Sequence, residues 1–157
     1  MEPSRLRLET YHLTKISIIP RSNVEATPLG QFADFSNVEF GSNVSLHELT
    51  EKDGQNVRQG LSLVLTAKPS EGSAFPYDIE MEMMGVFDTN DLPESKRDVL
   101  LLVNGSSMLY SAMREMLLTI TQRCMHGPVL LPSVSFVRLE KDYLEEQAGR
   151  VKTISSN

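Results

Sequence analysis

Apolar residues recur at every second position near the start of the chain, at Leu6 and Leu8, at Tyr11 and Leu13, and at Ile16 and Ile18, with the phase slipping between these groups. A two-residue period is that of a half-buried strand, and each slip is the mark of a bulge. Pro20 ends this first strand. The stretch to about Phe32 contains Pro28, Gly30 and several polar residues, which is connector chemistry. Phe35, Val38 and Phe40 are spaced irregularly before Val44 and Leu46 resume the alternation, so a short second strand is expected over Asn43 to Leu49. Lys52, Asp53 and Gly54 supply a turn, because Asp-Gly takes the positive φ that hairpin loops need. In the third strand Leu61, Leu63 and Leu65 alternate with Ser62, Val64 and Thr66, and Pro69 to Gly72 turns the chain again. The fourth opens at Ala74 or Phe75 and places Tyr77, Ile79, Met81 and Met83 on one side, with Asp78, Glu80 and Glu82 on the other. Strands joined in succession by short turns predict an antiparallel meander.

After Asp91, Leu92 and Pro93 the period lengthens. Met108, Leu109, Ala112, Met113, Met116, Leu117 and Ile120 repeat at three and four residues, predicting an amphipathic helix from an N-cap at Ser107 to about Met125. Arg123 suits the negative end of that helix, and Gly127 and Pro128 stop it. Val129 to Val137, interrupted by Pro132, reads as an extended crossing segment. Leu139, Tyr143 and Leu144 among Glu140, Glu145 and Glu146 predict a shorter second helix over Arg138 to Gln147. The expected class is therefore α+β: a four-stranded antiparallel sheet, a long helix and a shorter C-terminal helix. A single domain is expected over residues 1–148, with a frayed tail from Gly149 to Asn157.

Composition adds exclusions. The chain has 157 residues, 40% of them hydrophobic, enough for one domain that needs no covalent staple. Its single cysteine, Cys124, permits no intrachain disulfide and fits a reducing, cytoplasmic setting. Fifteen basic against 21 acidic residues give a net charge of −6, and no Lys/Arg cluster offers phosphates a face. Nucleic acid is not an expected partner. The longest apolar run, Val99 to Val103, is far too short to span a bilayer, and the N-terminus lacks the apolar core of a secretory signal.

Local chemistry is sparse. His12, His47 and His126 have no ligand-like helical spacing, so they read as ordinary surface or turn residues. Cys124 and His126 lie two apart at a helix end, where side chains diverge and no nucleophile–base pair forms. Gly105, Ser106 and Ser107 lack the second glycine of a nucleophile elbow, Met108 standing in its place, and no phosphate-cradling glycine loop occurs. Asp78, Glu80 and Glu82 alternate as a solvated strand face does. No catalytic residue, metal or cofactor is assigned. The methionines say more: of eight, three cluster at Met81, Met83 and Met84, and four lie on or beside the helix at Met108, Met113, Met116 and Met125. Such side chains fill cores and also re-pack around varied partners.

With these elements in order, several strings resemble the SecB family of bacterial export chaperones. Gly85, Val86 and Phe87 stand where the family has Gly-Ile-Phe at the end of its fourth strand. LYSAMRE, Leu109 to Glu115, stands against LFPYARE, matching at Leu109, Arg114 and Glu115. LPSVSF, Leu131 to Phe136, stands against LAPVNF, and YLEEQ, Tyr143 to Gln147, against YLQQQ; from Leu109 to Gln147 no gap is needed.

The resemblance implies a chaperone that binds non-native polypeptides in extended form along apolar grooves, without nucleotide or catalysis. It implies a groove near Tyr77, Phe136, Leu139, Tyr143 and Leu144. It also implies a dimer of dimers with the long helices between dimers, for which Met81, Met83, Met108, Met113, Met116, Leu117 and Ile120 are the expected oligomer contacts. Export members present acids on the sheet to the motor ATPase SecA. Here Glu80 matches one such acid, others fall at Lys15 and Ile19, and the tail carries Arg150 and Lys152 with no acid. A branch dedicated to one partner, such as an antitoxin, would tolerate those changes. Outside the family, a small-molecule-binding or enzymatic α+β domain would show an enclosed pocket with convergent polar groups, and a purely structural oligomer would expose no apolar patch beyond its subunit contacts.

Overall fold

The computed structural model describes residues 4–49 and 58–154, with side chains up to residue 148. Its four strands, β1 (Arg7–Pro20), β2 (Val38–Leu49), β3 (Arg58–Pro69) and β4 (Tyr77–Asp88), form one antiparallel sheet. Their order is β1-β4-β3-β2. The last three strands form a meander, but β1 lies against β4 rather than β2, which corrects the expected succession. The reason is the long connector after Pro20, which carries the chain across the sheet; Arg21 anchors its start by donating to the Ser73 and Phe75 carbonyls at 2.8 and 2.9 Å.

β1 behaves as its phase slips require. The pairing with β4 shifts between Leu8 and Thr10 and again between Leu13 and Lys15. Each extra residue returns the next apolar pair to the same face. β2 begins at Val38, earlier than expected, because Val38, Phe40, Val44 and Leu46 share one parity and only Phe35 lies outside it. β4 begins at Tyr77, just past Pro76, which has no N–H for the ladder. The expected Lys52–Gly54 turn lies outside the described residues.

A second layer covers one face of the sheet. A single 3₁₀ turn, Glu94–Lys96, leads into α1 (Arg97–Leu100), a π-helical turn (Leu101–Gly105) and α2 (Ser106–Thr121), an unbroken run longer than α3 (Arg138–Ile154). Ser107 is therefore not an N-cap; its hydroxyl donates back to the Val103 carbonyl at 2.8 Å, as an interior serine does. α2 stops at Thr121, short of Met125. There Thr121 Oγ1 donates to the Leu117 carbonyl and accepts the Val129 N–H, fixing the exit, and Gly127 turns at φ 85°. α3 continues past Gln147 into the stretch expected as tail: one glycine at 149 costs a helix only about 1 kcal/mol, and no proline follows it.

The core lies between these layers. Leu61, Leu63, Ile79, Met81, Met83 and Phe87 meet Leu101, Leu109, Met113 and Leu117, all fully buried. Two glycines set how closely helix and sheet approach. A Cβ on Gly85 would come within 2.9 Å of Leu109 Cδ2, and one on Gly105 within 2.9 Å of Leu61 Cδ2. The Gly-Val-Phe string is thus the place where α2 crosses β4.

Candidate functional site

β2 is an edge strand, and the helical layer does not seal the sheet beside it. Phe40, Ser42, Val44 and Leu46 pair with Ala67, Leu65, Leu63 and Leu61, so they share the helix-side face. Phe40 to Leu46 forms a floor roughly 20 Å long at about 3.4 Å per residue. The roof is the crossing segment and α3.

Two hydrogen bonds from α2 hold the crossing segment at its height. Tyr110 donates its hydroxyl to the Pro132 carbonyl and Arg114 its Nε to the Leu131 carbonyl, both at 2.7 Å. The Tyr110 ring meets Phe136 edge-on with centroids 5.8 Å apart. Burial pushes the Tyr110 hydroxyl above the ordinary tyrosine range, the nearby Arg114 cation opposing the shift. Arg114, shared with the family string, therefore acts here as a strut.

Two cavities follow the floor. One, of about 320 Å³, is lined by Phe40, Leu65, Tyr110, Pro132, Val134, Phe136 and Leu139, with Ser42, Ser135 and Arg138 as its polar side chains. The other, of about 470 Å³, is lined by Val44, Leu46, Leu102, Leu139, Asp142, Tyr143 and Glu146. Leu139 lines both, so they form one groove along the edge strand rather than a pocket around convergent polar groups. At its far end Asp98 ties α1, β3 and α3 together: its carboxylate accepts Gln59 Nε2 at 2.9 Å and the Tyr143 hydroxyl at 2.7 Å.

Of the residues expected at a groove, Phe136, Leu139 and Tyr143 come together here. Tyr77 does not. It is fully buried, donating its hydroxyl to the Gly127 carbonyl and accepting the His126 N–H. Leu144 lies on another face of α3, over a separate hollow with Val99, Leu100 and Val103. Phe40, Val44, Leu46 and Val134 line the groove and were not picked out as site residues. The β2 alternation was the available signal, but irregular spacing around Phe35 masked it.

The seven expected oligomer contacts divide in two. Met81, Met83, Met113 and Leu117 are fully buried within this chain, because β4 and α2 turn those positions toward each other. Their burial removes them from any surface. Met108 and Ile120 are each 36% exposed and, with half-buried Met116, mark the outer side of α2. Glu80 lies on the open face of the sheet, 2.8 Å from Lys15 of β1. That hydrogen bond holds its carboxyl below the usual range.

The histidines stand apart from one another's roles. His12 is exposed, His47 meets Ser62 Oγ at 2.7 Å, and His126 is 5% exposed with its ring edge-on to Tyr77. His126 is a turn histidine, as expected, but a buried one, its backbone N–H donating to the Tyr77 hydroxyl. Cys124 Sγ turns to the Ile120 carbonyl. No helix among the described residues is long and apolar enough to cross a membrane.

A family model described as "Preprotein translocase subunit SecB" matches residues 34–147. A protein-export protein SecB of Hyphomonas neptunium is 27% identical over 116 residues, covering 74% of this chain and 68% of that one. Among solved structures, a SecB-like chaperone of Mycobacterium tuberculosis, in complex with a ChAD peptide from an antitoxin, superposes with a TM-score of 0.51 at 15% identity. That superposition covers 83% of this chain and 91% of the other.

Proposed function

The chain belongs to the SecB family and is a chaperone of the SecB type, and we propose that it holds non-native polypeptide in extended form in the groove between β2, the crossing segment and α3, in the cytoplasm, without nucleotide or catalysis. The observation that carries this is the groove's pairing of a two-residue-period apolar floor with an aromatic and aliphatic roof. An extended chain has the same period, so alternate side chains enter the floor while the others face out. The test is suppression of aggregation of a denatured protein at stoichiometric ratio without ATP. Val134→Asp, on a half-exposed lining residue, should weaken suppression several-fold while the circular dichroism spectrum stays the same. Full suppression by this variant would contradict the placement.

Assembly follows from the outer side of α2. Met108 and Ile120 are exposed there and Met116 is half-buried, and the three are proposed to join copies of the chain as a dimer of dimers. Ile120→Asp should lower the solution mass measured by light scattering; an unchanged mass would exclude the contact.

A second reading, a chaperone dedicated to one partner such as an antitoxin, is favoured by one feature of the open face. Glu80, the acid expected to meet SecA, is engaged by Lys15. A pulldown in which Lys15→Ala restores or raises SecA binding would support export service. No SecA binding by either form would favour the dedicated role.

A further inference from the structure

A small polar hollow of about 140 Å³ lies between α2 and the crossing segment. Arg114, Ser107, Ser111 and Ser133 line it together with Tyr110, and no carboxylate does. Arg114 gives its Nε to the Leu131 carbonyl, but no Asp or Glu pairs with its guanidinium among the described residues. The terminal N–H groups of that fork are left without a protein acceptor. A cation taken partly out of water with no counter-charge favours the entry of an anion. The serines add hydroxyls. Ser107 and Ser111 donate to the Val103 and Ser107 carbonyls at 2.8 Å, bonds within one helical turn that a hydroxyl exchanges by rotating. Ser133 Oγ has no hydrogen-bond partner among the described residues. Ser111 and Ser133 also stand where the two family strings have proline, which has no hydroxyl to offer, so this donor set departs from the family pattern.

We propose that this hollow binds one small tetrahedral oxyanion, a phosphate or sulfate. Arg114 supplies the charge and a pair of N–H donors, and Ser111 and Ser133 supply hydroxyls from α2 and from the crossing segment. Donors that come from two elements surround a ligand on several sides, which suits four oxygens better than the two coplanar ones of a carboxylate. The volume is below the roughly 300 Å³ at which pockets begin to take drug-sized ligands, so the occupant is a single small group. Bound there, the anion ties Ser133 to α2 beside the two struts that hold the crossing segment at Leu131 and Pro132. The site does not depend on what the neighbouring groove holds.

The probe is inorganic phosphate, titrated into the full chain by isothermal calorimetry at constant ionic strength, with acetate as the planar comparator. Saturable binding of one phosphate per chain is expected, several-fold tighter than acetate. Ser111→Ala/Ser133→Ala changes two exposed positions and should keep the circular dichroism spectrum and the phosphate-free melting temperature. It should weaken phosphate by about tenfold, the loss that a hydrogen bond to a charged group represents. Ser135→Ala, which lines the neighbouring cavity and not this hollow, should leave the affinity unchanged. Arg114→Gln should abolish binding; because it also removes the strut to Leu131, the serine pair is the deciding variant. Saturating phosphate should also slow amide exchange from Leu131 to Val137 in the parent chain and not in the serine variant. Absence of saturable heat with phosphate, or acetate bound as tightly as phosphate, overturns the site. Phosphate affinity unchanged in Ser111→Ala/Ser133→Ala means an adventitious ion only and overturns it equally.

Discussion

The Tyr77 hydroxyl, at the start of β4, serves two backbone groups about 50 residues away, donating to the Gly127 carbonyl at 3.0 Å and accepting the His126 N–H at 3.1 Å. Tyr77→Phe would leave both buried without that partner, so it should destabilise the fold by about 2 kcal/mol in a denaturant titration. Loss below about 0.5 kcal/mol would mean that the turn after α2 is held by something else. Burial raises this hydroxyl above the tyrosine norm of about 10, with the His126 N–H partly opposing. For such a group the unfolded chain ionises first as pH rises, binding fewer protons than the native one. The stabilisation is complete below about pH 10 and is lost above it, and Tyr110 acts in the same direction. Strand parity placed Tyr77 among the inward side chains; the partner of its hydroxyl was not legible, because the turn it meets is brought there only by α2.

Among the elements, β1 was the most legible. Its two phase slips correspond to the two register shifts against β4, because a bulge leaves a trace in the order of side chains. The neighbour of β1 was not legible, since alternation fixes a face and says nothing about which edge it joins. The break expected before Ser107 failed for a related reason. Asn104 and Gly105 resemble a helix start, yet the π turn absorbs them and Gly105 is where Leu61 and Phe87 press against the helix. At the other end of the layer, α3 is tied to the rest through Tyr143 and Asp98. Tyr143→Phe should speed amide hydrogen exchange across α3 while exchange in β3 and β4 stays slow, because the strands are held by their own ladders. Equal acceleration in the sheet would show that the tie supports the whole domain instead of one helix.

For the whole molecule, the methionines divide by location. Met81, Met83 and Met113 fill the core, whereas Met108 and the largely exposed Met125 lie outside it. Eight methionines in the composition could not separate these roles, because a side chain's type does not state which layer covers it. The groove has the same character. Three of its roof residues, Phe136, Leu139 and Tyr143, follow from the family resemblance, but its floor on β2 was masked by the irregular spacing around Phe35, and the groove forms only where α3 lies along the edge strand. The proposed client site is that groove and not the open face of the sheet. The direct measurement is photo-crosslinking of a denatured client to the protein carrying a photoreactive residue in place of Val134, in the groove, or of Ile19, exposed on the open face. Crosslinks from position 134 and essentially none from position 19 are predicted. Crosslinks from position 19 with none from position 134 would place the client on the open face and exclude the groove.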